Sequence, residues 1–300
     1  MSRAMPRAMS SLAPASLAAL GCLAALAWPA LGRAEPTPDA APQVDTPAPA
    51  RAPAASPRSF YFRAGGAVVA PVTSSHEMEL ADVDGPASLA VKNGPIAGSG
   101  ATVGSASIPA MIVGYVLPIA SRRWSLETVL GVPFTVKFQA TGTLANMSIA
   151  PTALGIPTGV GPIGPELGEA KAIPPVITAV YQLTAGGVLR PYLGGGVSVL
   201  FAYDAHVTNP MLTAIRQPDM SIAPAPGIVL QGGLDARLWK TVYARLDVKF
   251  IGLMMARAEV HHIEIQAPNL PLFDTVEVGT AKANVWVNPF IVQAGIGVDF

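Results

Sequence analysis

The residues of this sequence with chemistry to offer fall into two groups. The first is a scatter of histidines and carboxylates. "HHIE" (His261, His262, Glu264) supplies imidazole nitrogen and carboxylate oxygen, the donors of a zinc site. Two adjacent histidines do not reproduce the i, i+4 spacing by which a helix turns two ligands toward one metal. "HVT" sets His206 two residues before Thr208, a base near a hydroxyl, but no serine stands there for a nucleophilic triad. The glycines of "GSGATVG", Gly98 to Gly104, have the wrong spacing for a dinucleotide loop and open no helix; the stretch reads as a flexible loop. All four histidines (His76, His206, His261, His262) fall in expected loops. No catalytic residue, metal site or cofactor is expected, and the chain does not read as an enzyme.

The second group is a set of charges at every second position. In "ARLDVKF", Arg245, Asp247 and Lys249 alternate with Leu246, Val248 and Phe250. A spacing of two puts like residues on one face of a strand. The same phase collects Arg63, Asp235, Arg237, Glu127 and Asp299, giving four cations and four anions. A balanced set suits a closed interior in which charges pair, because an unpaired buried charge is very costly. Gly194, Gly196, Gly233, Gly295 and Gly297 share that face and leave room for long side chains. The set reads either as a polar gate in a solute path or as a structural network that fills the interior.

Elements able to hold such a set recur along the chain. No long segment after residue 58 keeps helical periodicity, while period-two alternation returns in eight runs, near 59–70, 108–118, 123–138, 173–184, 188–203, 226–238, 241–256 and 284–300. Each is near or above the ~9–11 residues that a tilted strand needs to cross a bilayer. The connections after the even runs are tight; those after the odd runs (71–107, 139–172, 204–225, 257–283) are long. Aromatics such as Trp124, Phe134, Phe201, Tyr203, Trp239, Trp286, Phe290 and Phe300 gather near run ends, where amphipathic rings favour the headgroup level. These features predict an all-β fold: an eight-stranded antiparallel up-and-down transmembrane β-barrel with short periplasmic turns and long extracellular loops. Its apolar face meets lipid, and its last strand pairs with the first, since hydrocarbon tolerates no unpaired edge. Leu154, Ile156, Ile163 and Leu167, in the second long loop, are candidates for the mouth of an apolar cleft.

Composition agrees. Charged residues are 13% of the chain against a usual ~25%. The formal net charge is zero, so nothing favours a nucleic-acid partner. Residues 1–34 read as a secretory signal: Arg3 and Arg7, an apolar run from Leu12 to Trp28, and a small-residue cleavage pattern at Gly32 and Ala34. The one cysteine, Cys22, lies inside it, so the exported chain would have no disulfide. Residues 35–58 form a Pro/Ala-rich linker without the large apolar residues that offset folding entropy. The barrel is expected over 59–300.

Several segments resemble the outer membrane protein W family. "KAIPPVITAVYQL" followed by "LRPYLGGGVSVLFAYD" carries Pro174, Pro175, Tyr181, Arg190, Pro191, Tyr192, Gly194 and Gly196 in an order similar to that family's fourth and fifth strands. "VLGVPFTVKF", "LQGGLDARLWKTVYARLDVKFIGL" and "VNPFIVQAGIGVDF" are similar to its strand ending in Pro-Phe, its Gly-x-Asp hairpin and its closing strand. The resemblance implies an outer-membrane barrel with a narrow, partly apolar interior. It would be a channel or binding protein for small hydrophobic solutes; the alternative is a non-conducting structural or adhesive barrel acting through its loops. The implied partners are the outer-membrane bilayer, small hydrophobic ligands and the barrel-assembly machinery, with Phe300 resembling the latter's terminal signal.

Overall fold

The computed structural model describes residues 58–184, 186–270 and 275–300. The expected leader (1–34) and residues 35–57 of the expected linker lie outside the described residues. The described residues belong to the compact unit Ala55–Phe300.

Eight strands make the wall: β1 (Phe60–Ser75), β2 (Ala106–Val116), β3 (Trp124–Gly131), β4 (Val176–Gln182), β5 (Leu189–Val207), β6 (Ala225–Arg237), β7 (Val242–Gly252) and β8 (Thr275–Asp299). Each pairs antiparallel with its sequence neighbour in this series, and β8 pairs with β1 from Tyr61↔Asp299 to Ser75↔Val285. The ring is closed. Backbone bonds knit its ends further: Phe60 and Phe300 each donate an N–H to the other's carbonyl. No described helix is long and apolar enough to cross a membrane.

The two faces fall out as the alternation requires. On β7, Leu246 is 53% exposed and Val248 is exposed, whereas Asp247 and Lys249 are buried, Lys249 to 1%. Leu193, Val197, Leu230, Val292 and Ile296 continue the outward apolar surface. Such a surface is stable against lipid and would be unfavourable against water. Near the short-turn end, outward rings pack in pairs: Phe60 with Tyr115 at 4.9 Å between centroids, and Trp124 with Tyr181 at 5.1 Å. Phe250 and Phe290 pair at 4.8 Å toward the other end. Phe134 departs from the girdle expected of it and turns inward, where it lines a cavity.

The long connections differ from the expected loops. About half of their length is sheet. Phe134–Gly142 pairs with Ser99–Val103 and with Glu166–Ile173; the last of these also pairs with the far end of β5. Met255–Gln266 pairs with the far half of β8 and with Asp219–Ile222. These strands form a collar above the lipid-facing wall. Prolines divide wall from collar. The run expected over 123–138 is interrupted at Val132–Pro133, and the run over 173–184 starts only after Pro174–Pro175. Proline has no N–H to donate to a ladder. "GSGATVG", expected as a flexible loop, contributes the strand Ser99–Val103 because its backbone finds a partner in 138–142.

Candidate functional site: an ion-paired floor under an apolar cavity

The lower half of the interior is filled by one polar network. Glu127, on β3, accepts hydrogen bonds from Arg245 (2.7 Å), Gln231 (2.8 Å) and Tyr61. Tyr61 is also 2.9 Å from the Ser125 hydroxyl. Asp247 accepts from Tyr192 (2.6 Å), Gln231 (2.7 Å) and Lys249. Arg63 donates to Asp299 at 2.6 Å and lies 3.7 Å from Asp235. Arg245 Nε and Asp235 Oδ1 are 3.1 Å apart without hydrogen-bond alignment, so that contact is charge attraction alone. Guanidinium groups also cover aromatic rings: Arg245 over Tyr192 at 4.3 Å and Arg63 over Tyr61 at 4.9 Å.

Residues of β1, β3, β5, β6, β7 and β8 meet here, because the inward row of each carries a polar side chain at this height. Gly114 and Gly233 let the aromatic members in. A Cβ on Gly114 would come within 2.0 Å of the Tyr61 ring, and one on Gly233 within 2.3 Å of the Tyr192 oxygen.

Of the eight expected interior charges, the network unites seven: Arg63, Glu127, Asp235, Arg245, Asp247, Lys249 and Asp299. Arg237 is a correction. It is the last residue of β6 and is exposed, because the strand carries it past the sealed section to the rim. Its place in the charge balance goes to Arg190, 3.7 Å from Asp299 and stacked over Tyr243 at 4.7 Å. Arg190 lies on the same inward row as Tyr192; read only as part of a family motif, it escaped notice.

Above Lys249 the lining changes to hydrocarbon. Three contiguous cavities succeed one another. The lowest, of about 30 Å³, touches Val69, Ala110, Val129, Pro174, Lys249 and Gln293. The middle one, of about 60 Å³, shares Val69, Pro174 and Ile291 with it and adds Phe134, Phe138 and Met254. The uppermost, of about 90 Å³ and inside the collar, shares Phe138, Ile222 and Ala256 with the middle one. Its further lining includes Met78, Leu80, Leu144, Met211 and Met220, with Ile163 and Leu167. Two of the four expected mouth residues are therefore at the cavity. The other two are a correction: Leu154 (78% exposed) and Ile156 sit on a small hairpin, 152–157, whose turn points them outward. The methionine lining was not anticipated, since single apolar residues inside long connections carry no periodic signal.

The wall beside the lowest cavity has a seam. The β2·β3 ladder stops at Ala110↔Gly131 and the β3·β4 ladder at Val129↔Val176. The collar ladder resumes only at Ala172↔Phe134. Between them lie Gly131, Val132, Pro133, Pro174 and Pro175, where no pair joins β3 to β4. A Cβ on Gly131 would meet nothing within 4 Å.

The histidines and their neighbours have separate partners. His206 is 3.4 Å from Glu169, while Thr208 donates to Glu166 at 2.9 Å; base and hydroxyl have separate partners. His261 and His262 lie on the strand Met255–Gln266 rather than in a loop, and His262 pairs with Asp219 at 3.1 Å. Among the described residues no cluster is arranged to hold a metal ion.

A closed ring of eight antiparallel strands, lipid-facing outside and ion-paired inside, is an architecture shared with known proteins. The family model of the OmpW family matches residues 58–300. This chain belongs to the OmpW family. It is 24% identical over 146 residues to the dibenzothiophene metabolism operon protein PahQ of Pseudomonas aeruginosa, covering 46% of this chain and 58% of that protein. It is 24% identical over 141 residues to the uncharacterized outer-membrane protein y4mB of Sinorhizobium fredii, covering 47% of this chain and 53% of that one. The matched stretches thus span little more than half of these curated relatives. In structure it resembles the outer membrane protein OprG of Pseudomonas aeruginosa, with 22% identity, a TM-score of 0.61, and coverage of 81% of this chain and 96% of that one. This OmpW-family barrel is an outer-membrane protein, and its wall sits in the lipid bilayer.

Proposed function

We propose that this barrel is a passive path for small hydrophobic solutes, running from the cell surface into the plane of the outer membrane. One observation carries the reading: three contiguous apolar cavities descend from the collar and end on an ion-paired floor, beside a seam in the wall. A solute that reached the floor could not continue down without breaking buried ion pairs, at ~3–5 kcal/mol for each partner left alone. Hydrocarbon lies on the far side of the seam, so the low-cost exit is sideways. The lining offers no hydrogen-bond partner until Lys249 and Gln293, which favours solutes that ask for none along the way. The name of the relative PahQ refers to dibenzothiophene, an apolar aromatic, and agrees with such a solute class.

Uptake of a water-sparing solute such as naphthalene or n-octane tests the reading. Cells producing the protein should take it up faster than cells without it, and Ala256→Phe, at the junction of the two upper cavities, should abolish the difference. Equal uptake by all three strains would refute it. The filled floor also supports the second reading, a barrel that conducts nothing and acts through its collar. That reading predicts no solute flux and a surface partner lost when residues 139–172 are deleted.

A further inference from the structure

The lowest cavity does not end on hydrocarbon. Its floor is Lys249 and Gln293, both buried, with 1% and 3% exposure. Gln293 lies directly across from Asp247 in the β7·β8 ladder. Lys249 is two residues further along the same inward row, a diagonal that long side chains span. The Lys249 ammonium has three N–H donors. Asp247 is its one hydrogen-bond partner among the described residues. The Gln293 side-chain amide, with two donors and an acceptor, has none among the described residues. A buried amide facing a cavity without a partner is unfavourable unless something supplies one.

We infer that Lys249 and Gln293 form a head-group subsite for an uncharged oxygen, a hydroxyl or carbonyl, at one end of an otherwise apolar solute. The inference rests on the solute-path reading and specifies what the path accepts. The oxygen is uncharged for an electrostatic reason. The interior already holds four cations (Arg63, Arg190, Arg245, Lys249) and four anions (Glu127, Asp235, Asp247, Asp299), and Lys249 is matched by Asp247. A carboxylate head would add one unmatched negative charge in a place with little water. A hydroxyl adds a donor and two acceptor lone pairs, which Lys249 and Gln293 can satisfy together. A pure hydrocarbon would leave both groups as they are. The volume agrees: about 30 Å³ admits a head of very few atoms, while the tail continues past Val69, Pro174 and Ile291 into the next cavity.

The test uses the full chain in lipid nanodiscs, with labelled methionine methyls and side-chain amides read by NMR. 1-Octanol, n-octane and sodium octanoate are titrated in turn at pH 7. The Met254 methyl lines the middle cavity and reports a tail; the Gln293 amide reports a head. Octanol should shift both resonances with one saturation curve, octane should shift Met254 alone, and octanoate should bind more weakly than octanol. Gln293→Leu, which keeps the volume and removes the amide, should weaken octanol about threefold to tenfold and leave octane unchanged, the worth of one neutral hydrogen bond. If octanol moves Met254 without moving Gln293, or binds Gln293→Leu as tightly as the native chain, the subsite is overturned and the pair houses water; the solute path then still stands. Tighter binding of octanoate than of octanol overturns the uncharged head. If no solute moves Met254, the path reading falls, and the subsite with it.

Discussion

Glu127 shows how little freedom a single side chain has in this interior. Its two oxygens are engaged by Tyr61, Arg245 and Gln231, contributed by three different strands. Removing one partner leaves a charge in a dry place, which costs far more than the pair is worth. Arg245→Leu should therefore destabilise the barrel by ~3–5 kcal/mol, read as a lower urea midpoint in lipid vesicles. The double variant Glu127→Leu with Arg245→Leu removes one charge of each sign and should recover a large part of that loss. A double variant no more stable than Arg245→Leu would mean the network does not act as a unit. Gly114→Val belongs to the same scale: its side chain would occupy the space of the Tyr61 ring. It should yield a barrel that loses its SDS-resistant folded band on unboiled gels.

At the scale of elements, the prolines at 133, 174 and 175 matter most. They stop two ladders at one height and so separate a lipid-facing wall from a collar. β3 and β4, with 8 and 7 residues, are the shortest wall strands for this reason. The seam they leave is open enough that Gly131 has no neighbour where a side chain would go. Gly131→Phe should fold as the native chain does, with an unchanged urea midpoint. It should slow apolar solute uptake several-fold by filling the seam. Unchanged uptake would rule out the seam as the exit, whatever the fate of the collar cavity.

At the scale of the whole molecule, closure and charge balance decide how the interior is filled. A ring of eight strands is just wide enough for side chains to fill, and here Tyr61, Tyr192, Arg63 and Arg245 fill it. The barrel should give no resolved ion-conductance steps in planar bilayers; open-pore steps would contradict a sealed floor. Closure also depends on the β1·β8 seam, where Phe60 and Phe300 exchange backbone bonds and stack at 6.4 Å. We expect Phe300 to serve as the assembly signal as well. Phe300→Ala should reduce the amount of barrel reaching the outer membrane, with lesser effect on the stability of protein refolded in vitro.

Much of this was legible in the order of residues, for one physical reason. A strand repeats every two residues, so the alternation of Leu246, Val248 and Phe250 with Arg245, Asp247 and Lys249 assigns faces before any partner is known. Lipid outside and ion pairs inside follow from that alternation together with the alternating short and long connections, the aromatics near run ends and the four-against-four balance of charge on the polar face. Periodicity says nothing about height along the barrel axis or about who sits across the lumen. Only the folded ring decided that Arg237 lies at the rim while Arg190 is within. Only the folded ring turned the long connections into a collar, put Ile163 and Leu167 at its cavity and left Leu154 and Ile156 outside. It alone brought Gln293 beside Lys249. Those are contacts between residues far apart in the chain, set by register and strand tilt, and no local pattern encodes them.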